Sequence, residues 1–338
     1  MNTFGDTFTF TSFGESHSAA IGGVLDGVPA GLHIDLDMIR EALDRRAGRS
    51  QQPQLGCSPR ATHEPDEVEW LSGVITQSNS DSGLTSNSAS GLTGEAGLIT
   101  LGTPIAFLIR NRDARPEDYE AFRHSFRPAH ADSTYEAKYG IRDWRGGGRA
   151  SARETAARVV AGSLARQMLA ERGITIHAEL IQVGDETRPE HFGEVIARYR
   201  AEGDSIGGII RCEVTGLPAG LGEPIFDKLQ AHLAYAILSI NACKGFDYGS
   251  GFDGVTQPGS IANLHSGGLL GGITDGTTLS FRCVFKPTPS TPKAFAQLQN
   301  EKIVNRPIVN RSDACVAVRA VPVVEAMTAL VLANFTER

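Results

Sequence analysis

The chain has 338 residues, enough to bury a large core as one large domain or as two smaller ones. Its net charge of −7 argues against a general nucleic-acid-binding protein, and its five cysteines form no C-x-x-C pair that would indicate zinc. The N-terminal stretch lacks the features of a signal peptide, and no apolar run reaches membrane-spanning length. These features predict a soluble cytoplasmic protein with free thiols, no bound metal, and no nucleic-acid or membrane partner.

Strand and helix patterns alternate along the chain. Alternating apolar residues predict strands, and apolar residues three and four apart predict amphipathic helices. The predicted strands are residues 8–12, 24–29, 68–74, 104–110, 174–183, 207–214, 279–285 and 317–320. The predicted helices are residues 35–46, 151–173, 190–202, 223–240 and a last one that opens at Pro322. This order predicts an α/β or α+β protein with antiparallel strands.

Residues 76–98 differ in composition from the rest of the chain. They are nearly all Ser, Gly, Thr, Asn and Leu. Such a composition buries too little apolar surface to offset the entropy of ordering. We therefore expect a mobile, low-complexity surface insertion without a chemical role.

The stretch 123–173 carries the strongest functional signal. Its first half, up to Arg158, holds eight cations, and a Gly-Gly-Gly run at 146–148 precedes Ser151. Ser151 and Glu154 form an S-x-x-E pattern that predicts a capping box at the start of a helix. An arginine-rich loop that leads into a helix N-terminus is suited to binding an anion, although a solvated basic face is the simpler alternative. The negative charge of the whole chain favours a small anion over nucleic acid.

Five stretches resemble the chorismate synthase family. They are TSFGESHSAAIGGVLDGVPAG, RPAHADSTYEAKYGIRDWRGGGRASARETAARV, LPAGLGEPIFDKLQAHLAYAILSINACKG, HSGGLLGGITDG and SDACVAVRAVPVVEAMTALVL, and they span the chain. The resemblance implies a single α+β domain over residues 1–338, a β-α-β sandwich with helices between antiparallel sheets, assembled as a homotetramer. It also implies the last step of the shikimate pathway in aromatic amino acid biosynthesis. In that step 5-enolpyruvylshikimate 3-phosphate loses phosphate in a 1,4-elimination that requires reduced FMN and gives chorismate.

The resemblance also implies site residues, position by position. The catalytic ones are His17 near the leaving phosphate, His130 at the reduced flavin, and Asp313 near flavin N5, in the relay of the ring proton. The implied flavin contacts are Arg149, Ala150, Ser151, Asn241, Ala242, Gly271, Lys286, Pro287, Thr288, Pro289, Ser290 and Arg311. The implied substrate contacts are Arg46, Arg49, Arg127 and Arg153.

These residue types suit the implied chemistry. The substrate carries a phosphate and two carboxylates, and guanidinium forks bind such oxyanions well. Loss of phosphate needs a proton donor or charge stabilisation at the leaving oxygen, and histidine serves both purposes near pH 7. Taken alone, a histidine just past a strand, such as His17, is more often structural than catalytic.

The chain departs from the family pattern in several places. The family's RPG after the first helix is RAG here, which loosens the register of Arg45, Arg46 and Arg49 against the family. The stretch before HSGG is shorter than usual, and the family's GRHDPC reads NRSDAC. The changed positions beside the catalytic residues are Ala129, Asn310, Ser312 and Ala314. Because His17, His130 and Asp313 are present, we expect an active enzyme.

Two other hypotheses remain at this point. A diverged relative could bind flavin or a shikimate-like ligand without turnover, and the lost histidine at Ser312 motivates that hypothesis. A polyanion-binding protein could use the cations of residues 123–158. The source of electrons is a separate question, because some family members reduce flavin with NADPH. No Rossmann G-x-G-x-x-G pattern follows any of the predicted strands, so we expect an external source of reduced flavin.

Overall fold

Two antiparallel β-sheets enclose a layer of helices in the computed structural model. The structure describes residues 1–49, 57, 60, 63–76, 97–127, 129–294, 296 and 312–337. The strands are β1 (Thr3–Phe4), β2 (Thr9–Phe13), β3 (Ala20–Asp26), β4 (Ala30–Ile34), β5 (Val68–Ser72), β6 (Val74–Thr76), β7 (Leu98–Leu101), β8 (Ile105–Arg110), β9 (Thr175–Val183), β10 (Gly208–Thr215), β11 (Cys243–Tyr248), β12 (Leu269–Leu270), β13 (Ile273–Thr274) and β14 (Leu279–Phe285). The helices are α1 (Leu36–Ala47), α2 (Asp132–Tyr139), α3 (Thr155–Glu171), α4 (Phe192–Ala201), α5 (Leu229–Leu238), α6 (Gly259–Ala262) and α7 (Ala317–Thr336).

The two main sheets have five and four strands. Their strand orders are β1-β2-β3-β8-β5 and β11-β14-β10-β9. A three-stranded sheet, β4-β7-β6, and the hairpin β12-β13 complete the described strands, and the pairs within these sheets are antiparallel. The predicted α+β class and the antiparallel pairing are confirmed.

Helices α3 and α7 form the centre of the layer between the sheets. They pack along each other, α3 also contacts β2 and β3, and α7 also contacts β9 and β10. The 20 residues of α7 are long and apolar enough to cross a membrane, but 94% of the most apolar window is buried inside the protein. Helix α7 is therefore a core helix, packed between α3 and the sheet that contains β9 and β10.

Asn334, near the end of α7, connects the last helix to the first strands. Its side-chain oxygen accepts hydrogen bonds from the backbone N–H groups of Asp6 (2.8 Å), Thr7 (3.2 Å) and Phe8 (3.3 Å). Its amide nitrogen donates to the carbonyl oxygens of Phe8 (2.8 Å) and Leu330 (3.0 Å). One buried side chain thereby satisfies backbone groups that would otherwise lie unpaired in the core.

The start of α7 corrects one prediction. Residues 317–320 are helical rather than a strand, and Pro322 lies inside the helix instead of opening it. Proline removes one backbone hydrogen bond, but nearly all of α7 is buried, so packing compensates for the lost bond.

Two further helix starts differ from the predictions. Helix α5 begins at Leu229 rather than at residue 223, because the N–H of Leu229 bonds to the carbonyl of Gly272 instead of to a preceding turn. The capping box does not form: the Ser151 hydroxyl accepts from the N–H of Arg153 (3.4 Å), and Glu154 pairs with Arg158 (3.0 Å). Two short 3-10 helices, Gly148–Ala150 and Ala152–Glu154, precede α3 instead.

The predicted insertion lies mostly outside the described residues, in the gap 77–96. Thr76 at the end of β6 pairs directly with Leu98 at the start of β7. The segment therefore leaves and re-enters the fold at neighbouring points of one antiparallel pair.

Candidate functional site

A cavity of about 530 Å³ opens where four core elements meet. Arg46 from the end of α1, Arg153 from the turn before α3, Lys286 after β14, and Arg319 from the first turn of α7 contribute to its wall. This volume falls in the range of about 300–1,000 Å³ that small-molecule sites occupy.

The described wall of the cavity is rich in positive charge. It carries six cationic side chains, Arg46, Arg60, Arg127, Arg153, Lys286 and Arg319, against three carboxylates, Glu64, Asp118 and Asp313. Such an excess favours an anionic ligand.

Buried carboxylates hold most of these arginines in place. Asp66 contacts Arg46 (3.5 Å) and Arg153, and Glu64 pairs with Arg60 (2.8 Å). Burial works to raise the pKa of Asp66, but the neighbouring guanidinium groups of Arg153, Arg46 and Arg49 outweigh it, so the pKa lies below its usual range. The cationic wall is thus ordered before any ligand arrives.

Arg46 is deeply buried, and its N–H donors form hydrogen bonds with other groups of the protein. Its guanidinium donates to the Thr155 hydroxyl (3.2 Å), to Asp66 (3.5 Å), and to the carbonyls of Ala152 (2.7 Å) and Arg153 (3.4 Å). Burial and nearby Arg319 lower the pKa of Arg46 to about 9, which leaves it charged near pH 7. Four of the five N–H donors of this guanidinium are occupied, so Arg46 chiefly fixes the start of α3.

Lys286 differs from the arginines of the wall. Burial and the nearby charge of Lys244 lower its pKa. Within the described residues no carboxylate pairs with its ammonium group, so this cation stays available to a ligand.

His130 and Asp132 form a hydrogen-bonded group with Arg127 at one side of the cavity. The Nδ1 atom of His130 lies 2.9 Å from Asp132 Oδ1 and 3.1 Å from Arg127 Nη2. Arg127 also donates from Nε (3.0 Å) and Nη2 (2.8 Å) to the Asp132 carboxylate. Arg127, an expected substrate contact, therefore uses several of its N–H donors to bind this carboxylate.

His17 is buried beside the cavity. Its Nδ1 lies 3.1 Å from the Ser16 hydroxyl, and its ring meets the ring of Tyr119 edge-on with centroids 5.1 Å apart. The ring centroid of Tyr119 also lies 5.7 Å from the guanidinium carbon of Arg127. Tyr119 thus contacts both the His17 side and the Arg127 side of the site.

The glycine run at 146–148 covers both histidines. A Cβ atom on Gly146 would overlap the imidazole of His17, and one on Gly147 would lie 2.8 Å from His130 Cε1 and 2.7 Å from Arg127 Nη2. A Cβ on Gly148 would meet nothing closer than 3.4 Å. Only glycine at the first two positions lets the chain pass this close to the rings.

Asp313 lies across the cavity at the start of the last helix. Arg319 Nη1 donates to Asp313 Oδ2 at 2.8 Å, and Arg319 Nε donates to the carbonyl of Arg46 at 2.9 Å. Both side chains are largely buried, at 9% and 11% exposure. Arg319 therefore fixes Asp313 and joins it to the end of α1.

Comparison with known proteins identifies the family. Residues 8–336 match the family model described as chorismate synthase. The chain belongs to the chorismate synthase family. A chorismate synthase of Christiangramia forsetii is 41% identical over 99% of this chain and 97% of the relative, and one of Porphyromonas gingivalis is 44% identical over 99% and 95%. A solved structure titled "Crystal Structure of Chorismate Synthase" superimposes with a TM-score of 0.69 at 26% identity, over 98% of this chain and 92% of that one.

This membership establishes the reaction class. Chorismate synthases are carbon–oxygen lyases acting on phosphates, in the shikimate pathway of aromatic amino acid biosynthesis, and the family implies a small-molecule substrate and a flavin requirement. The expected β-α-β sandwich agrees with the solved chorismate synthase structure.

Most of the expected chorismate synthase site residues line one cavity. Those on its wall are Arg46, Arg127, His130, Ala150, Ser151, Arg153, Asn241, Ala242, Lys286, Thr288, Pro289, Ser290 and Asp313. They come from distant parts of the sequence, and the fold brings them together.

The other expected residues lie elsewhere. His17 is behind the wall, next to Ser16 and Gly146, which do line the cavity. Arg49 pairs with Asp44 (2.8 Å) outside it, and Arg149 faces an adjoining cavity while donating to the carbonyl of Gly14 (3.1 Å). Gly271 lies in the β12-β13 turn away from this wall, Pro287 sits between two wall residues without lining the cavity, and Arg311 lies outside the described residues.

Sequence reasoning missed several residues of the wall. Arg60, Glu64, Tyr119 and Arg319 line it, and Asp66 and Asp132 order its arginines. Arg319 had a detectable signal, because a charged residue within a long apolar helix needs a partner inside the protein. Arg60 and Glu64 gave none, since they occur in a polar stretch that reads as a loop.

Proposed function

We propose that this cavity is the active site in which the chain eliminates phosphate from 5-enolpyruvylshikimate 3-phosphate to form chorismate. The observation that carries the proposal is the convergence of His130 and Asp313 on the wall of one cavity with an excess of cations, with His17 directly behind that wall against Gly146. These residues lie far apart in the sequence, and their types match an elimination that must move one proton and release one phosphate.

The cationic wall would bind the substrate's phosphate and two carboxylates. Arg153 donates from Nε to Asn111, from Nη1 to Asp66 and from Nη2 to the carbonyl of Arg110, and therefore retains one hydrogen on each terminal nitrogen for a ligand. Arg46 contributes charge rather than direct contacts, since its donors are nearly all occupied.

The residues present also fit reduced FMN. Asn241 Oδ1 and Thr288 Oγ1 are buried on the cavity wall and have no hydrogen-bond partner among the described residues. A buried polar atom without a hydrogen bond lowers the stability of the fold, and a bound ligand can supply the missing bond. A flavin ring offers both donors and acceptors for such bonds. Asn241, Thr288 and Lys286 would hold the cofactor, which would supply an electron-rich ring beside the substrate without net redox change.

The chain's own residues would handle the proton and the leaving group. His17 would donate a hydrogen bond or proton to the departing phosphate, and Asp313 would take part in removing the ring proton. Arg319, bonded to Asp313 at 2.8 Å, would hold that carboxylate in place as the proton moves. His130 would hold or release a proton at the flavin side of the cavity.

An anaerobic assay tests this proposal. Purified protein with photoreduced FMN and substrate should produce chorismate absorbance and one phosphate per turnover, and His17→Ala and His130→Ala should each lower turnover by about 10²–10⁴-fold while remaining folded. Folded variants with wild-type turnover would contradict the assignment. Binding of flavin without any product from the wild type would favour the diverged, non-catalytic relative.

The source of reduced flavin is a second part of the proposal. The chain would depend on an external source, because its G-x-G-x-x-G match, at residues 249–254 after β11, leads into the short 3-10 helix Gly251–Thr256 rather than into the long helix of a dinucleotide-binding βαβ unit. NADPH with oxidised FMN should then give no product, whereas photoreduced FMN should. Product formed with NADPH alone would show that the chain reduces flavin itself.

We further propose that residues 1–338 form one domain that assembles as a homotetramer in the cytoplasm. A single core of buried residues extends from β2 to α7, which supports one domain. Large apolar side chains such as Ile225 (71% exposed), Phe226 (90%) and Phe252 (79%) are open to solvent, and other copies of the chain would cover them.

A further inference from the structure

Asp132 is a buried carboxylate with both oxygens in use. It is the first residue of α2, and its side chain is 3% exposed. Oδ2 accepts hydrogen bonds from the backbone N–H and from Nε of Arg127, each at 3.0 Å. Oδ1 lies 2.8 Å from Arg127 Nη2 and 2.9 Å from His130 Nδ1. The carboxylate is therefore held rigidly behind the histidine.

We infer that Asp132 is a positioning residue that keeps the proton of His130 on Nδ1 and leaves Nε2 available to the cavity. An ionised carboxylate only accepts hydrogen bonds, so a bond between Nδ1 and Oδ1 at 2.9 Å requires the proton on Nδ1. Arg127 Nη2 lies 3.1 Å from the same Nδ1 and can only donate, but it already donates to Oδ1 at the shorter distance of 2.8 Å, so the carboxylate contact decides the tautomer. In the neutral ring the lone pair is then on Nε2, at the opposite edge. The inference rests on the proposed function, since it specifies how His130 would exchange a proton.

Arg127 keeps the Asp132 carboxylate in the form that accepts hydrogen bonds. Its backbone N–H, Nε and Nη2 donate to the two oxygens of Asp132, which keeps that carboxylate ionised and fixed behind His130. Burial pushes the pKa of Asp132 up, but the hydrogen bonds from His130 and Arg127 outweigh it and hold the pKa far below its usual range. Asp132 thus stays an acceptor towards His130 Nδ1.

Gly147 completes the positioning from the other side. A Cβ there would lie 3.2 Å from His130 Nε2 and 2.8 Å from Cε1. The ring is therefore confined between the carboxylate and the glycine backbone. Rotation of the imidazole, which would exchange the two nitrogens, has little room.

The replacement Asp132→Asn tests the inference. The single amide oxygen should face the donors of Arg127, so the amide NH₂ group should face His130 Nδ1 and force the proton onto Nε2. We expect a folded protein whose kcat falls by at least about 10²-fold, with a smaller change in KM. In ¹⁵N–¹H histidine spectra, the His130 signal, assigned by its loss in His130→Gln, should change from the Nδ1–H to the Nε2–H tautomer.

Asp143→Asn is the matched control. Asp143 accepts from Arg145 Nε (2.8 Å) and Nη2 (3.1 Å), the same paired geometry, and no histidine among the described residues is bonded to it. Its replacement should leave the His130 tautomer and turnover unchanged. Should Asp132→Asn fail to fold, Asp132→Glu keeps an acceptor and should keep the Nδ1–H tautomer.

Several outcomes would overturn the inference. They are an unchanged tautomer in Asp132→Asn, an Nε2–H tautomer in the wild type or in Asp132→Glu, or an equal effect from Asp143→Asn. Wild-type turnover in His130→Gln is a different failure: it would remove the proposed role of His130, while the tautomer spectra would still decide what Asp132 does.

Discussion

The glycines at 146 and 147 show how single residues set the site. All three glycines of the run have positive φ angles, +61°, +86° and +54°, so alanine should strain the backbone at each by about 1–2 kcal/mol. Only at Gly146 and Gly147 would the added methyl also displace a histidine ring.

We therefore expect the three alanine variants to share a stability loss but to differ in activity. Gly146→Ala and Gly147→Ala should lose turnover by about 10²-fold or more, because a general acid or base typically contributes that much. Gly148→Ala should keep most of its turnover. Thermal melts and anaerobic turnover check this, and a Gly148→Ala variant as inactive as the other two would contradict it.

Asp66 predicts how stability depends on pH. Its lowered pKa means that the folded state binds this proton less tightly than the unfolded state, whose Asp pKa is about 3.9. Its stabilising contribution is complete above about pH 4 and is lost as the pH falls below that value.

Asp66→Asn should therefore lower the free energy of unfolding at pH 7 by about 3 kcal/mol and flatten the decline of Tm below about pH 4. Melting curves between pH 3 and pH 7 measure both effects. Glu69→Gln, which removes a partly exposed partner of Arg110, is the control and should change both far less, because solvent screens that ion pair. A wild-type acid slope in Asp66→Asn would contradict the role of this carboxylate.

Motif resemblance could predict which residues surround the cavity, but not how each is used. Lys286 and Asn241 lie on the wall as expected. Arg46 and Arg127 were expected to bind substrate, and the structure shows their donors bound to Thr155, Asp66 and Asp132. A sequence names the cations of a site, whereas the distribution of their hydrogen bonds depends on contacts between residues that lie far apart along the chain.

At the scale of elements, Glu325 connects four of them. On α7 and almost fully buried, it accepts from Arg45 of α1 (2.8 and 3.1 Å), from Arg166 of α3 (3.0 Å) and from the N–H of Ala178 in β9 (3.1 Å). Removing it would leave these donors without their acceptor.

We expect Glu325→Gln to lower the free energy of unfolding by about 3 kcal/mol. Chemical denaturation measures the loss. Glu337→Gln, which removes a partly exposed partner of Arg172 at the end of α7, should cost far less. Equal losses in the two variants would show that burial and the shared contacts of Glu325 contribute little.

The pairing of β6 with β7 suggests that a two-residue turn could replace residues 77–96. Thr76 and Leu98 face each other across β6 and β7, so replacing residues 77–96 with a single Asn would leave Asn-Gly97 between them. Asn-Gly is the preferred two-residue turn between antiparallel strands. Melting temperature and turnover should stay close to wild type, and a loss of folding would show that the segment has a structural role.

Local sequence patterns predicted the bounds of a helix or strand well where one of its faces is buried, and less well where the element is buried on all sides. Helix α1, strand β10 and strand β14 lie within about a residue of their predicted bounds. The start of α7 was wrong because a helix buried all round has no polar face to define its period, and Pro322 suggested a boundary. Residues 317–320 are helical because α7 lies inside the protein. That interior position exists only once the sheets have assembled, so local sequence does not reveal it.

At the scale of the whole molecule, exposed apolar side chains predict self-association. Phe226→Glu combined with Phe252→Glu should shift the protein from a tetramer to smaller species in light scattering, because charge replaces apolar contact. Leu101→Glu, at a 44% exposed position on β7, is the control and should leave the mass unchanged. A wild-type monomer, or a double variant that remains tetrameric, would contradict the proposed interface.

The contact between Asn334 and residues 6–8 has a consequence for biosynthesis. The hydrogen bonds it makes close loops of 326 residues or more, so the first strands cannot reach their final environment until the last helix has left the ribosome. During synthesis the backbone groups of residues 6–8 therefore lack the Asn334 side chain that pairs them, and α3 lacks α7, the helix it packs along. Exposed apolar surface and unpaired backbone of this kind promote aggregation of nascent chains. We therefore expect folding to be completed only after the whole chain has been synthesised, so that its yield depends on protection of the nascent chain as well as on the stability of the folded protein.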